Sequence, residues 1–115
     1  MLAPPAAAAA GGASTLLIER HGFLGGMGTA AGLSAFINYR YRSTDLSQAF
    51  YRSVVSDLAA HGATYRAEGG NVDVFEPEAL KRVLESRLTS AGVELALHAA
   101  ILRIDREGGE WVVQV

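Results

Sequence analysis

The sequence predicts an α/β fold: a layer of parallel strands, helices in the connection between them, and a small β extension at the C-terminal end. Three observations predict it. "TLLIE" (residues 15–19) is an uninterrupted apolar run closing on an acid, the pattern of a strand covered on both faces. Two amphipathic stretches, each with start and stop residues, separate it from a second candidate strand, "VELALH" (residues 93–98). Last, "AILRID" and "WVVQV" flank the glycine turn in "REGGE" and read as a hairpin.

The chain divides into a low-complexity segment, residues 1–14, and an α/β domain, residues 15–115. In "APPAAAAAGGAS", alanine supports a short helical turn over residues 6–10, with Gly11 or Gly12 as its stop. Pro4 and Pro5 confine such a helix to the residues after them; the stretch taken alone favours a disordered tail, with a helix remnant as the alternative. After the first strand, residues 21–32 are dominated by glycine and read as loop, with "TAAGLSAF" entering a short helix. "NYRYRS" alternates tyrosine with charge and is expected to be a half-exposed strand or loop. "STDLSQAFYRSVVSDLAAHG" reads as a helix capped by Ser43 or Thr44, with Leu46, Phe50, Val54 and Leu58 as its stripe and Gly62 as its stop. "ATYRAEGGNVDVF" reads as a loop. In "EPEALKRVLESRLTSAG", Pro77 suits the first helical position, and Glu76 and Glu78 suit the positive end of the helix dipole. Leu80, Val83, Leu84 and Leu88 form the buried stripe of that helix, and Gly92 falls just past its end.

Composition excludes several classes of function. With 115 residues, half of them hydrophobic, the chain builds one modest core. A net charge of −2 gives no electrostatic footprint for nucleic acid or an anionic membrane, so neither is an expected partner. The absence of cysteine removes disulfides, thiolate metal sites and a cysteine nucleophile. His21, His61 and His98 have no ligand spacing, so no metal is expected, and Asp57 with His61 reads as an i, i+4 surface pair. No run reaches the roughly 18–20 apolar residues of a transmembrane helix, and no signal-peptide pattern opens the chain; a cytoplasmic location is the expectation.

Two features carry chemistry. An acid at the tip of a strand in a doubly wound sheet can accept both hydroxyl protons of a ribose, and Glu19 holds that position. Its ordinary reading is a solvated strand end. Gly22, Gly25, Gly26 and Gly28 then lie within seven residues, giving backbone that a phosphate can approach, or simply a flexible surface loop.

Together, "TLLIERHGFLGGMGTAAGLSAF" resembles the FAD-dependent oxidoreductase family, a branch of the glutathione-reductase-like FAD-binding fold, in which a strand ending in Glu-Arg precedes a "GGM-T-G" loop. "VDVFEPEALKRVLESRLTSAGVELALHAAILRID" (residues 72–105) is similar to a second stretch of the same family. The resemblance implies a partial Rossmann-like FAD/NAD(P)-binding fold with two crossover helices, and FAD as cofactor. By position it implies that Glu19 holds the adenosine ribose and Arg20 flanks the adenine or ribose. Gly25, Gly26 and Met27 would offer backbone to the pyrophosphate and ribityl chain, Thr29 would be a hydroxyl donor, and Ile101 would touch the adenine edge through its main chain.

The family's opening strand and "GxGxxG" turn have no counterpart here, so the chain reads as an incomplete cofactor domain, cut at both ends. Losing that turn is expected to cost about 3–6 kcal/mol of FAD binding, leaving micromolar-to-millimolar affinity. It would also leave strand edges unpaired and open to self-association. The function expected is flavin-mediated hydride or electron transfer; the alternative is a non-catalytic α/β module that binds a nucleotide or partner.

Overall fold

A computed structural model describes residues 3–37, 40–42, 44–46 and 49–115. Strand β1 (Thr15–Ile18) pairs in parallel with β7 (Val93–Ala96), in the register Thr15 to Val93 through Ile18 to Ala96. The connection between them carries a three-stranded antiparallel sheet and two helices. The predicted parallel pair, its helical crossover and the C-terminal hairpin are all present, and the fold is α/β.

The N-terminal segment is helix α1 (Ala3–Ala10), so the helical alternative holds, the disordered tail is corrected, and the helix starts ahead of the two prolines and not after them. Pro4 and Pro5 lie in its first turn, where backbone N–H groups have no helical partner and proline removes nothing. Gly12, at φ 86°, reverses the chain: its N–H donates to the Ala9 carbonyl at 2.9 Å and that of Ala13 to Ala8 at 3.0 Å. Ala6 and Ala9 pack against the core beside β1 and β7. Leu17 and Leu95 also face that core, whereas Leu16 is 57% exposed. The sheet is thus covered on one face, not on both as the unbroken apolar run predicts.

The segment "TAAGLSAF" is not helical. Gly32, at φ 72°, breaks the helical path, and β2 (Ala35–Ile37) instead pairs antiparallel with β6 (Val72–Phe75). β5 (Thr64–Arg66) pairs with the other edge of β6, so "ATYRAEGGNVDVF" is a hairpin and not a loop. Gly69 (φ 94°) and Gly70 (φ 73°) supply its turn. Two-residue strands β3 (Arg40–Tyr41) and β4 (Thr44–Asp45) pair with each other. Asn38, Tyr39 and Ser43 of "NYRYRS" lie outside the described residues.

Helix α2 spans Phe50–Ala60 and does not begin at Thr44, whose backbone is engaged with β3. Leu46 is accordingly 63% exposed, and the buried stripe is Phe50, Val54 and Leu58. Helix α3 (Pro77–Ser90) starts at Pro77 and is succeeded by Gly92 at φ 82°, as the sequence predicts. The two helices are clasped by Arg87, whose Nε meets Asp57 Oδ2 at 2.6 Å and whose Nη2 donates to the Ser53 carbonyl at 2.8 Å. Asp57 therefore pairs across helices; the His61 ring instead meets the Asp57 backbone carbonyl at 2.7 Å. Leu58, Leu88 and Leu24 are fully buried between these layers. The C-terminal hairpin of β8 (Arg103–Glu107) and β9 (Glu110–Gln114) turns at Gly108 and Gly109.

Candidate functional site

The site grows from the tip of β1. Pairing with β7 continues past Ile18: the Glu19 N–H donates to the Ala96 carbonyl at 2.9 Å, and its carbonyl accepts from Ala99 N–H at 3.0 Å. The side chain of Glu19 is thereby held at the sheet end, and its Oε1 accepts the His21 N–H at 2.9 Å. Gly22 follows, and a Cβ there would stand 2.4 Å from Nε2 of His98, so that ring would have to swing aside.

Leu24, 1% exposed, then anchors the loop in the core. Gly25 (φ 113°) and Gly26 (φ 53°) turn the backbone through left-handed conformations into a single 3₁₀ turn, Gly26–Gly28. Gly28 lets that turn close on α3: its absent Cβ would lie 3.1 Å from both Leu80 and Phe75. Phe23 stacks on His21 at 5.6 Å and receives the Lys81 ammonium 3.9 Å from its ring centre, tying the loop to the same helix.

Two clefts meet at Glu19. The larger, about 500 Å³, has Glu19, Gly25, Gly26 and Met27 at one end. Phe36 of β2, Phe50, Tyr51 and Val54 of α2, and Leu80 and Leu84 of α3 complete it. The smaller, about 460 Å³, runs along the other side of the strand tip between Ile18, Glu19 and Arg20 and residues Ala99, Ala100 and Ile101. Glu19, Gly25, Gly26 and Met27 thus share one cleft, and Glu19, Arg20 and Ile101 share its neighbour. Thr29 is in neither set. It is 9% exposed, and its hydroxyl donates to the Leu24 carbonyl at 2.8 Å, so it clamps the loop from inside and its proton is already committed.

The FAD-dependent oxidoreductase family model matches residues 3–115, nearly the whole chain. This chain belongs to the FAD-dependent oxidoreductase family. Among solved structures, the chain is similar to that of Thermovibrio ammonificans THI4, at 16% identity and a TM-score of 0.55, over 97% of this chain. It spans 40% of the length of that protein. No curated protein matches the chain. The cofactor that the family's description names, FAD, is the group against which the two clefts are to be judged.

The donors and acceptors fit such a cofactor. A carboxylate accepts several hydrogen bonds, and Glu19 has one of its oxygens engaged by His21. At Gly26 nothing lies within 4 Å of where a Cβ would be, so a ligand can reach bare backbone. Among the described residues no three His, Asp or Glu side chains are placed to hold a metal, and no helix is long and apolar enough to cross a membrane.

Sequence reading missed the far wall of the larger cleft. Tyr51 donates its hydroxyl proton to Oδ2 of Asp73, a carboxylate on β6 that is 2% exposed and takes Arg66 Nε on its other oxygen at 3.0 Å. Phe36 meets the Tyr51 ring edge-on at 5.5 Å and packs on Phe75 at 4.4 Å. The signal existed: "TYR" and "VDVF" around Gly-Gly have hairpin character, and only a paired strand places Asp73 inward.

Proposed function

We propose that this chain is the cofactor-holding part of a flavin-dependent oxidoreductase. The residues that would hold FAD are those at the strand tip, with Glu19 at the point where the two clefts meet. The observation that carries this reading is the meeting of both clefts at one carboxylate beside a left-handed glycine loop, in a chain of this family. Glu19 accepts the ribose hydroxyls. Arg20 and Ile101 border the smaller cleft and flank the adenine. Gly25 and Gly26 would offer backbone to the pyrophosphate, and Met27, 67% exposed, would lie along the ribityl chain. When bound, FAD supplies the redox chemistry through hydride or electron transfer at its isoalloxazine ring. Phe36, Val54, Leu80 and Leu84 give the larger cleft apolar walls, against which a flavin ring would be partly shielded from water.

The test is FAD titration of the native chain and of Glu19→Ala. The variant is expected to bind more weakly by about 1.5–3 kcal/mol, roughly 10- to 150-fold. Its unfolding free energy should fall by no more than about 1 kcal/mol, the worth of the bond from His21. Equal affinity for both proteins would make Glu19 an ordinary solvated strand end and remove the reading's centre.

A further inference from the structure

An extended strand sends consecutive side chains to opposite faces, yet Glu19 and Arg20 both line the smaller cleft. His21, the next residue, touches each of them. Its backbone N–H donates to Oε1 of Glu19 at 2.9 Å, and its ring Nε2 accepts the Nε–H of Arg20 at 3.3 Å. One residue therefore engages the carboxylate through its main chain and the guanidinium through its side chain. His21 itself lines neither cleft.

His21 is held in its turn from both ends of the residue. Its carbonyl accepts the His98 N–H at 3.1 Å, which ties it to the chain just past β7. Its ring stacks on Phe23 at 5.6 Å, with 13° between the planes. Phe23 carries the Lys81 ammonium of α3 at 3.9 Å, and that ammonium is paired with Glu78 at 2.6 Å. The imidazole is thus oriented by contacts that involve no ligand, and the exposed Arg20 side chain takes its orientation from the imidazole. A guanidinium has five N–H donors, so giving Nε–H to His21 leaves four on the two outer nitrogens. We propose that His21 is a positioning residue of the cofactor site, holding Arg20 in the pose that faces the adenosine half in the smaller cleft. This rests on the cofactor reading and deepens it. A freely rotating arginine has to be immobilised when its ligand binds, which weakens affinity, and the bond to His21 removes that loss in advance.

FAD titrations of the native chain, His21→Phe, Arg20→Ala and the double variant test this. Phenylalanine keeps the ring stack and the backbone bond to Glu19 and removes the acceptor for Arg20. His21→Phe is expected to weaken FAD binding roughly 3- to 10-fold, the effect of having to order one long side chain on binding. In the Arg20→Ala background the same substitution should change nothing, because a residue that acts through Arg20 has no other route. His21→Gln, whose amide oxygen can accept in place of Nε2, should bind FAD about as tightly as the native chain. In the ligand-free chain, the Arg20 Nε–H resonance should move in His21→Phe and stay near its native position in His21→Gln. Native affinity in His21→Phe, a loss that persists without Arg20, no rescue by glutamine, or an unmoved Arg20 resonance each overturns the proposal. Glu19→Ala separates the two readings. If it leaves FAD affinity unchanged, the cofactor reading fails, and the ligand-free Arg20 resonance still decides whether His21 holds Arg20. If it weakens FAD while His21→Phe does not, the positioning role alone fails. Should His21→Phe not fold, His21→Leu also lacks the acceptor and carries the same comparison.

Discussion

Gly25 and Gly26 sit side by side in left-handed backbone, yet their surroundings separate them. A Cβ at Gly25 would stand 2.5 Å from Cγ2 and 2.7 Å from Oγ1 of Thr29, whereas one at Gly26 would meet nothing within 4 Å. Gly26→Ala should therefore cost only the conformational penalty, about 1 kcal/mol. Gly25→Ala adds a steric collision with a buried residue and should cost about 2–4 kcal/mol. Urea unfolding of the two variants checks the order, and Gly26→Ala as the more damaging would contradict the loop geometry. The sequence announces four glycines in this loop without saying which one is sterically required. That distinction comes from Thr29, whose hydroxyl folds back to the Leu24 carbonyl and whose methyl fills the space beside Gly25.

At the scale of elements, legibility tracks local chemistry. Helix α3 is written in its own residues, with Pro77 at the start, a stripe at helical spacing and Gly92 past the end. Helices α1, α2 and α3 each end on a left-handed glycine: Gly12, Gly62 and Gly92. The start of α2 was not legible, because a cap at Thr44 competes with pairing to Tyr41, and pairing holds it. The β5–β6 hairpin was obscured by Asp73, a charge in the middle of a strand that makes sense only once Arg66 and Tyr51 are seen beside it. The seam between α2 and α3 should dominate stability. Leu58 and Leu88 are 0% exposed, so truncating either to Ala is expected to cost about 2–5 kcal/mol. Leu16→Ala, at 57% exposure, should stay within about 0.5 kcal/mol. Thermal unfolding of the three variants checks this, and a comparable loss at Leu16 would mean that β1 is covered on both faces after all.

Across the whole molecule, apolar surface is distributed unevenly. One face of the C-terminal hairpin carries Ile104, Trp111 and Val113 at 54%, 69% and 43% exposure with Arg106 over the Trp111 ring, while the other carries Arg103, Asp105, Glu107, Glu110 and Gln114 around Val112. Among the described residues, β1 also pairs on one edge only. Concentration-dependent self-association is the expected behaviour of the isolated chain, and sedimentation velocity over a hundredfold dilution checks it. Trp111→Lys should reduce the association, and a chain that stays monomeric throughout would show these surfaces to be inert. The cofactor reading depends on a different region. Glu19, the glycine loop and Ile101 converge on the end of the parallel pair, some distance along the sequence from the hairpin turn at Gly108 and Gly109. The most direct measurement is therefore FAD titration read residue by residue through backbone amide resonances. The expected result is saturable shifts centred on Glu19, Arg20, Gly25, Gly26, Met27 and Ile101, lost together in Glu19→Ala. Shifts absent from those amides, or concentrated on residues 103–114, would contradict the assignment of the flavin site to the tip of β1.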